Sequence, residues 1–279
     1  MKLIDGRAIS KRLLAQVKKD IKKNQLKPGL AIILVGDDPA SRLYVQIKEK
    51  ASGKVGIRFE KLVFPAETSE ARVIKTIEEL NQRRNIHGIV VQLPLPDHIN
   101  EQAVISAIDP GKDVDGFHPE NVKKLLSGEG KIIPALVRSI LALVASAKMP
   151  LAGKQAVVIA NSQEFYDPIA SWLKRFGVTS KFCPPAEVLK YANQADILIV
   201  AAGQPKLIDS SQVKPGSIVI DVGINQTDSG VVGDVDQKSL KDVEGFLTPV
   251  PGGVGPVTVA SLLANTTQAA KEIQNRPAE

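Results

Sequence analysis

The chain has 279 residues, 43% of them apolar and 24% charged, with a formal net charge of +6, which is long for one ordinary domain and comfortable for two. A lone cysteine, Cys183, excludes an intrachain disulfide framework, and three scattered histidines (His87, His98, His118) match no metal-ligand spacing, so no metal is expected. No apolar run of membrane-spanning length and no signal-type N-terminus occur, and aromatics stand at 4% without a recognition motif, so a soluble, cytoplasmic protein with no membrane or nucleic acid partner is expected.

The first element is a basic amphipathic helix in which Ile9, Leu13, Val17 and Ile21 form an i, i+4 stripe. Its lysines face outward, as a solvated surface with at most a pull toward acidic small molecules. Next comes the apolar run GLAIILVG (29–36), then a helix with Asp38 as N-cap, Pro39 behind it and Gly56 as its closing residue. On that helix Tyr44 and Lys48, four apart, share a face beside the apolar stripe. They suit a cleft-lining pair or a lysine snorkelling beside a half-buried tyrosine, and spacing alone favours the second.

IRFEKLVFP (57–65), a helix from Ser69 and HGIVVQLPLP (87–96) continue a βαβ rhythm. Gln92 ends the last strand, where open parallel sheets bind ligands, although a glutamine there also serves loop backbone. Asp109, Asp113 and Asp115 follow in DPGKDVDGF, a composition that also makes ordinary turns. Residues 134–148 read as one long apolar helix fit to link two lobes. A second set follows: QAVVIA (155–160), a helix near 168–176, SKFCP, a helix near 186–194, ADILIVAAG and SIVIDVGIN. The densest glycine run, TPVPGGVGPVT (248–258), precedes a last helix expected to begin at Pro256, and the tail QNRPAE is expected to fray.

Six blocks occur in order: YVQIK (44–48), VQLPLP (91–96), KDVDGFHP (112–119), DVGIN (221–225), VVGDVD (231–236) and TPVPGGVGPVTVA (248–260). Together they resemble the bifunctional methylenetetrahydrofolate dehydrogenase/methenyltetrahydrofolate cyclohydrolase family over nearly the whole chain. The resemblance implies an α/β protein of two domains flanking a cleft. Residues 1–117 with 257–279 would form the catalytic, folate-binding domain, and 118–256 a Rossmann-type cofactor domain for NADP. It also implies a cytosolic homodimer. Lys48 would be the central catalytic residue, with Gln92 as its partner, Tyr44 stacking on the folate rings and Asp115 holding the pterin. Pro251 and Gly255 would contact folate from the other side, and Ile224 would lie at the nicotinamide.

The cofactor corner departs from the family's pattern. Relatives carry Gly-(Arg or similar)-Ser-x-x-Val-Gly-x-Pro, and here ANSQEFYDP (160–168) keeps Ser162 and Pro168 but has Ala160, Asn161 and Tyr166. A tyrosine is expected to add bulk where the backbone approaches pyrophosphate, and Glu164 and Asp167 to repel phosphate. PALVRS (134–139) and FCPPAE (182–187) replace two further polar elements of the cofactor site. The expectation is folate chemistry with the cyclohydrolase step kept and the dehydrogenase step weak, altered in cofactor preference, or absent. Three other readings remain open: both reactions, using DVGIN with Ile224 at the nicotinamide side and a remodelled corner; a non-catalytic scaffold; and a Rossmann dehydrogenase for another small substrate.

Overall fold

The computed structural model describes residues 1–130, 132–228 and 230–275; residues 276–279, most of the tail expected to fray, lie outside them. In chain order the elements are β1 (Lys2–Leu3), α1 (Gly6–Lys23), β2 (Gly29–Val35), α2 (Pro39–Val55), β3 (Arg58–Phe64), α3 (Glu70–Gln82), β4 (Gly88–Val91), α4 (Glu101–Ser106), α5 (Pro119–Ser127) and α6 (Ala135–Ser146). There follow β5 (Gln155–Ala160), α7 (Gln163–Arg175), β6 (Thr179–Cys183), α8 (Val188–Tyr191), β7 (Ile197–Ala201), β8 (Ser217–Asp221), β9 (Asn225–Thr227), β10 (Gly230–Val232), β11 (Gly245–Leu247) and α9 (Val254–Gln274).

Two compact units divide the chain: Lys11–Ala135 with Val259–Glu279, and Met1–Ser10 with Leu136–Thr258. These boundaries are set by packing and fall at other residues than the functional division expected above. The first residues join the second unit because β1 pairs with β11. Residues up to Ala135 join the first, where Ala135 N–H binds Asp115 O and the Asn265 amide binds Val114 O and Ile133 O.

In the first unit a three-stranded parallel sheet has the order β3-β2-β4. Strand β2 is buried throughout, and its side chains alternate between two cores. Leu30, Ile32 and Leu34 join Val17, Ile21, Val45 and Leu262 on one face. Ala31, Ile33 and Val35 join Val73, Ile77 and Val104 on the other. Each fully buried leucine or isoleucine contributes about 1.5–3 kcal/mol, so this strand anchors the loop that follows it.

The second unit is a six-stranded parallel sheet of order β1-β11-β8-β7-β5-β6, with β9 and β10 as a separate antiparallel pair. Its core gathers Ile159, Leu198, Val200, Val219 and Leu247. From β5 the chain runs to β6 on one side and β7 on the other, which makes the carboxyl ends of β5 and β7 a topological switch point. Three helices differ from expectation. Helix α7 starts at Gln163, not near 168, because Ser162 caps it through the Phe165 N–H, and Pro168 falls inside it. The helix near 186–194 is broken into two 3-10 turns around the short α8. Helix α9 begins at Val254, two residues before Pro256.

Candidate active site

Four of the expected site residues belong to the three-stranded unit, and its local structure explains their placement. Helix α2 starts at Asp38, whose carboxylate accepts the Ser41 N–H at 2.7 Å, and closes on Gly56 in the left-handed conformation. One turn inside it stand Tyr44, half-buried, and Lys48, 9% exposed. Strand β4 ends at Val91, so Gln92 emerges at the carboxyl end of the sheet, its N–H bound to Ile33 O. Gln92 Nε2 donates to Leu93 O at 2.8 Å, which fixes the amide and turns Oε1 to accept from Lys48 Nζ at 2.9 Å. The lysine does not snorkel; it is buried against a built acceptor.

Asp115 arrives on a neighbouring track. Ile89 N–H binds Lys112 O and Asp113 bridges Ile89 in parallel, so the 112–116 loop continues the sheet beside β4. The loop is tied down by side chains that were read as turn formers. Lys112 Nζ donates to the carbonyls of Asn81 and Arg83 at 2.6 and 2.9 Å, closing the end of α3. Asp113 accepts from Gly116 N–H, His118 N–H and Asn121 Nδ2. Gly116 has φ +87°, and a Cβ there would lie 2.6 Å from Pro134 Cα, so conformation and space both require glycine.

Electrostatics push the cluster toward its neutral forms. Burial lowers the Lys48 pKa, opposed by the Asp115 charge. Burial raises that of Asp115, with Asp113 adding to the rise and Lys48 opposing it. Burial also raises Tyr44. An amine with a depressed pKa, held on a neutral amide acceptor, takes up and returns a proton more readily than an ordinary lysine.

The remaining expected residues belong to the six-stranded unit. Ala160 is buried at the end of β5 without a left-handed φ, so alanine is tolerated there. Asn161 Nδ2 reaches across the switch point to Ala202 O at 3.0 Å. The Ser162 hydroxyl caps α7. Tyr166 is not where bulk at a phosphate was expected: its hydroxyl donates to Ser180 O at 2.9 Å and its ring leans on Phe182, in the seam between α7 and β6. Glu164 is exposed in the first turn of α7. Ile224 is 52% exposed between β8 and β9, while Pro251 and Gly255 flank the start of α9.

Sequence reasoning gave no role to Asp221 and Asp234, both buried. The signal was present: each stands within two residues of a glycine in an apolar run, DVG and VGDV. Asp221 has a pKa pushed by burial up to about 7, against N–H donors that hold it down.

The residues fit a dinucleotide. The switch point is open at Gly203, beyond which a Cβ would meet nothing within 4 Å, and an apolar residue is presented at Ile224. The N-terminus of α7 keeps the helix dipole that favours phosphate. After β6, however, Cys183 Sγ donates to Pro184 O and Glu187 pairs with Lys190 at 3.5 Å.

Fold and site together define a two-unit α/β enzyme, one unit carrying a buried lysine-centred cluster and the other a doubly wound sheet. The chain belongs to the tetrahydrofolate dehydrogenase/cyclohydrolase family: residues 4–115 match its catalytic domain and residues 134–274 its NAD(P)-binding domain. It is 45% identical over 275 residues to the bifunctional protein FolD of Halalkalibacterium halodurans, covering 97% of this chain and 99% of that protein. The crystal structure of the bifunctional FolD enzyme from Campylobacter jejuni superposes with a TM-score of 0.92 at 40% identity, over 98% of this chain and 99% of that one. The Trypanosoma brucei enzyme, complexed with NADP and an inhibitor, gives 0.92 at 32% identity over 98% of each chain. The altered corner therefore lies within a recognised NAD(P)-binding domain, and the scaffold reading draws no support from relatives that are named as enzymes.

Proposed function

We propose that the protein interconverts 5,10-methylene-, 5,10-methenyl- and 10-formyltetrahydrofolate, with Lys48 as the group that handles the proton of the cyclohydrolase step. The observation that carries this reading is the buried Lys48 Nζ at 2.9 Å from a Gln92 Oε1 that is itself fixed by Leu93 O. Water adds to the electrophilic methenyl carbon, forming a C–O bond, and its proton passes to the neutral amine of Lys48. The protonated lysine then returns that proton to the departing N5 as the C–N5 bond breaks, while the hydroxyl formed from water loses its remaining proton to solvent and becomes the carbonyl of the formyl group left on N10. Asp115, kept toward its protonated form, offers a hydrogen bond to the pterin, and Tyr44 supplies a stacking face. Pro251 and Gly255 complete the folate contacts on the strength of the resemblance.

For the dehydrogenase step an NAD(P) held by the six-stranded unit would supply the hydride acceptor for the methylene carbon. Ala160, Asn161 and Ser162 at the end of β5 and Ile224 after β8 would hold it. A second reading, in which this step is slow with NADP or altered in cofactor preference, is favoured by the stretch after β6: among the described residues, the cations beside it are engaged, Lys190 with Glu187 and Lys181 over the Tyr191 ring. Methenyl absorbance tests both readings, first in hydrolysis without dinucleotide and then in formation with NADP and with NAD. Absence of cofactor-free hydrolysis would refute the first, and NADP reduction at the rate of the relatives would refute the second. The family resemblance further supports a cytoplasmic homodimer, which light scattering would check; among the described residues no helix is long and apolar enough to cross a membrane.

A further inference from the structure

We propose that Asp234, together with Asp221, is a positioning residue that holds three strand-end loops of the six-stranded unit in the shape the dinucleotide requires. The inference rests on the reading of these loops as the cofactor side.

Asp234 Oδ2 accepts the N–H groups of Ala202 and Gly203 at 2.6 and 3.0 Å, and Oδ1 accepts Gln204 N–H at 2.9 Å and Asn225 Nδ2 at 2.8 Å. One carboxylate thus ties the loop after β7 to the start of β9. Asp234 N–H in turn binds Asp221 Oδ1, which also accepts Gly223 N–H, while Asp221 Oδ2 accepts Val235 N–H, all at 3.0 Å. The carboxylates thus fix the chain after β7, after β8 and after β10, and the loop after β11 is joined through the main chain, Asp221 N–H donating to Thr248 Oγ1 at 2.8 Å three residues before the PGGVG turn.

Space confirms that the pair is built in. A Cβ on Gly223 would collide with the Asp234 carboxylate, and one on Gly233 with Asp221 Oδ2. Those two glycines exist to admit the carboxylates. Ile224 sits between two residues bonded to the pair, Gly223 and Asn225, so its exposed apolar side chain is presented by fixed neighbours. A core that only needed filling would use apolar side chains at less cost than two buried carboxylates.

Full-length protein carrying Asp234→Asn, Asn225→Ala, Thr248→Val or Thr248→Ser tests this, with dinucleotide Kd from Trp172 fluorescence, KM and kcat for dehydrogenation, and melting temperature. Asparagine turns one NH2 toward backbone donors, so D234N is expected to raise Kd and KM for NADP and NAD at least tenfold, with kcat less affected. N225A shifts them the same way by less, T248V behaves like N225A, and T248S restores wild-type values within twofold. Where D234N does not fold, N225A and the T248V/T248S pair decide. Unchanged Kd in folded N225A and T248V, with only a lower melting temperature, would show a purely structural role and overturn the inference. Wild-type protein that binds neither NADP nor NAD would overturn the cofactor reading beneath it.

Discussion

Replacing Gln92 by glutamate puts a carboxylate where a neutral amide oxygen now accepts from Lys48 Nζ at 2.9 Å. An opposite charge that close raises an amine's pKa by about one to three units, or about 1.4–4 kcal/mol. The upper end agrees with about 4 kcal/mol for unit charges 4 Å apart at an effective dielectric of 20. Because burial now lowers the Lys48 pKa, the substitution works against that cause and restores the ammonium form. The neutral amine at pH 7 falls about tenfold for each unit of rise, and cofactor-free hydrolysis falls with it. The pH–rate profile followed by methenyl absorbance should move upward by the same number of units, with activity recovered at the alkaline end. Gln92→Ala separates charge from lost geometry: it removes the acceptor and adds no charge, so its profile should drop without that upward shift. A Gln92→Glu profile that superposes on the wild type, or moves to lower pH, would refute Lys48 as the proton carrier.

Lys48→Met should lower cyclohydrolase turnover by about 10²–10⁴-fold while folate affinity, measured by equilibrium titration, changes only a few-fold. Glu164→Gln removes a charge opposed to phosphate at the α7 N-terminus and should tighten NADP by about two- to five-fold, corresponding to about 0.3–1 kcal/mol; no change would mean that phosphate does not approach that turn. Tyr166→Phe should cost about 1 kcal/mol in thermal or denaturant unfolding through its lost bond to Ser180, and leave dinucleotide Kd unchanged because the hydroxyl points into the helix–strand seam. The Arg83 hydrogen bonds and charge depress the Glu60 pKa in the folded state, so their contribution is present above the ordinary carboxyl value of 4.5 and lost as pH falls through the folded pKa. Glu60→Gln should therefore flatten the acid limb of the stability curve, by under about 1 kcal/mol for a pair this exposed.

The strands of both sheets were legible because β2, β4, β5, β7 and β8 are buried on both faces and so read as unbroken apolar runs. Strands β1 and β11 were not, since two or three residues carry no period, and β1 finds its place only by pairing with β11 at the far end of the chain. In the candidate site, spacing left Lys48 as a snorkelling surface residue; the family resemblance paired it with Gln92, and the fold brings that amide to it from the end of β4. Tyr166 was legible as a departure but not as a direction, because the side of α7 it occupies depends on where the helix starts, and that was misjudged by five residues. Asp221 and Asp234 stayed silent for the same reason as many buried polar groups: their partners are backbone N–H groups, which every sequence has.

The depressed Lys48 amine has a consequence for binding as well as turnover. The methenyl bridge of the substrate carries a positive charge, and a site already biased toward an uncharged lysine avoids repelling it. By linkage, the cation in turn biases the lysine further, so its binding should release protons where binding of the neutral 10-formyl product should not. Calorimetric titrations in buffers of different ionisation enthalpy would then give buffer-dependent heats for one ligand and buffer-independent heats for the other, so that the protein distinguishes the two ends of its hydrolytic step by charge before any bond is broken.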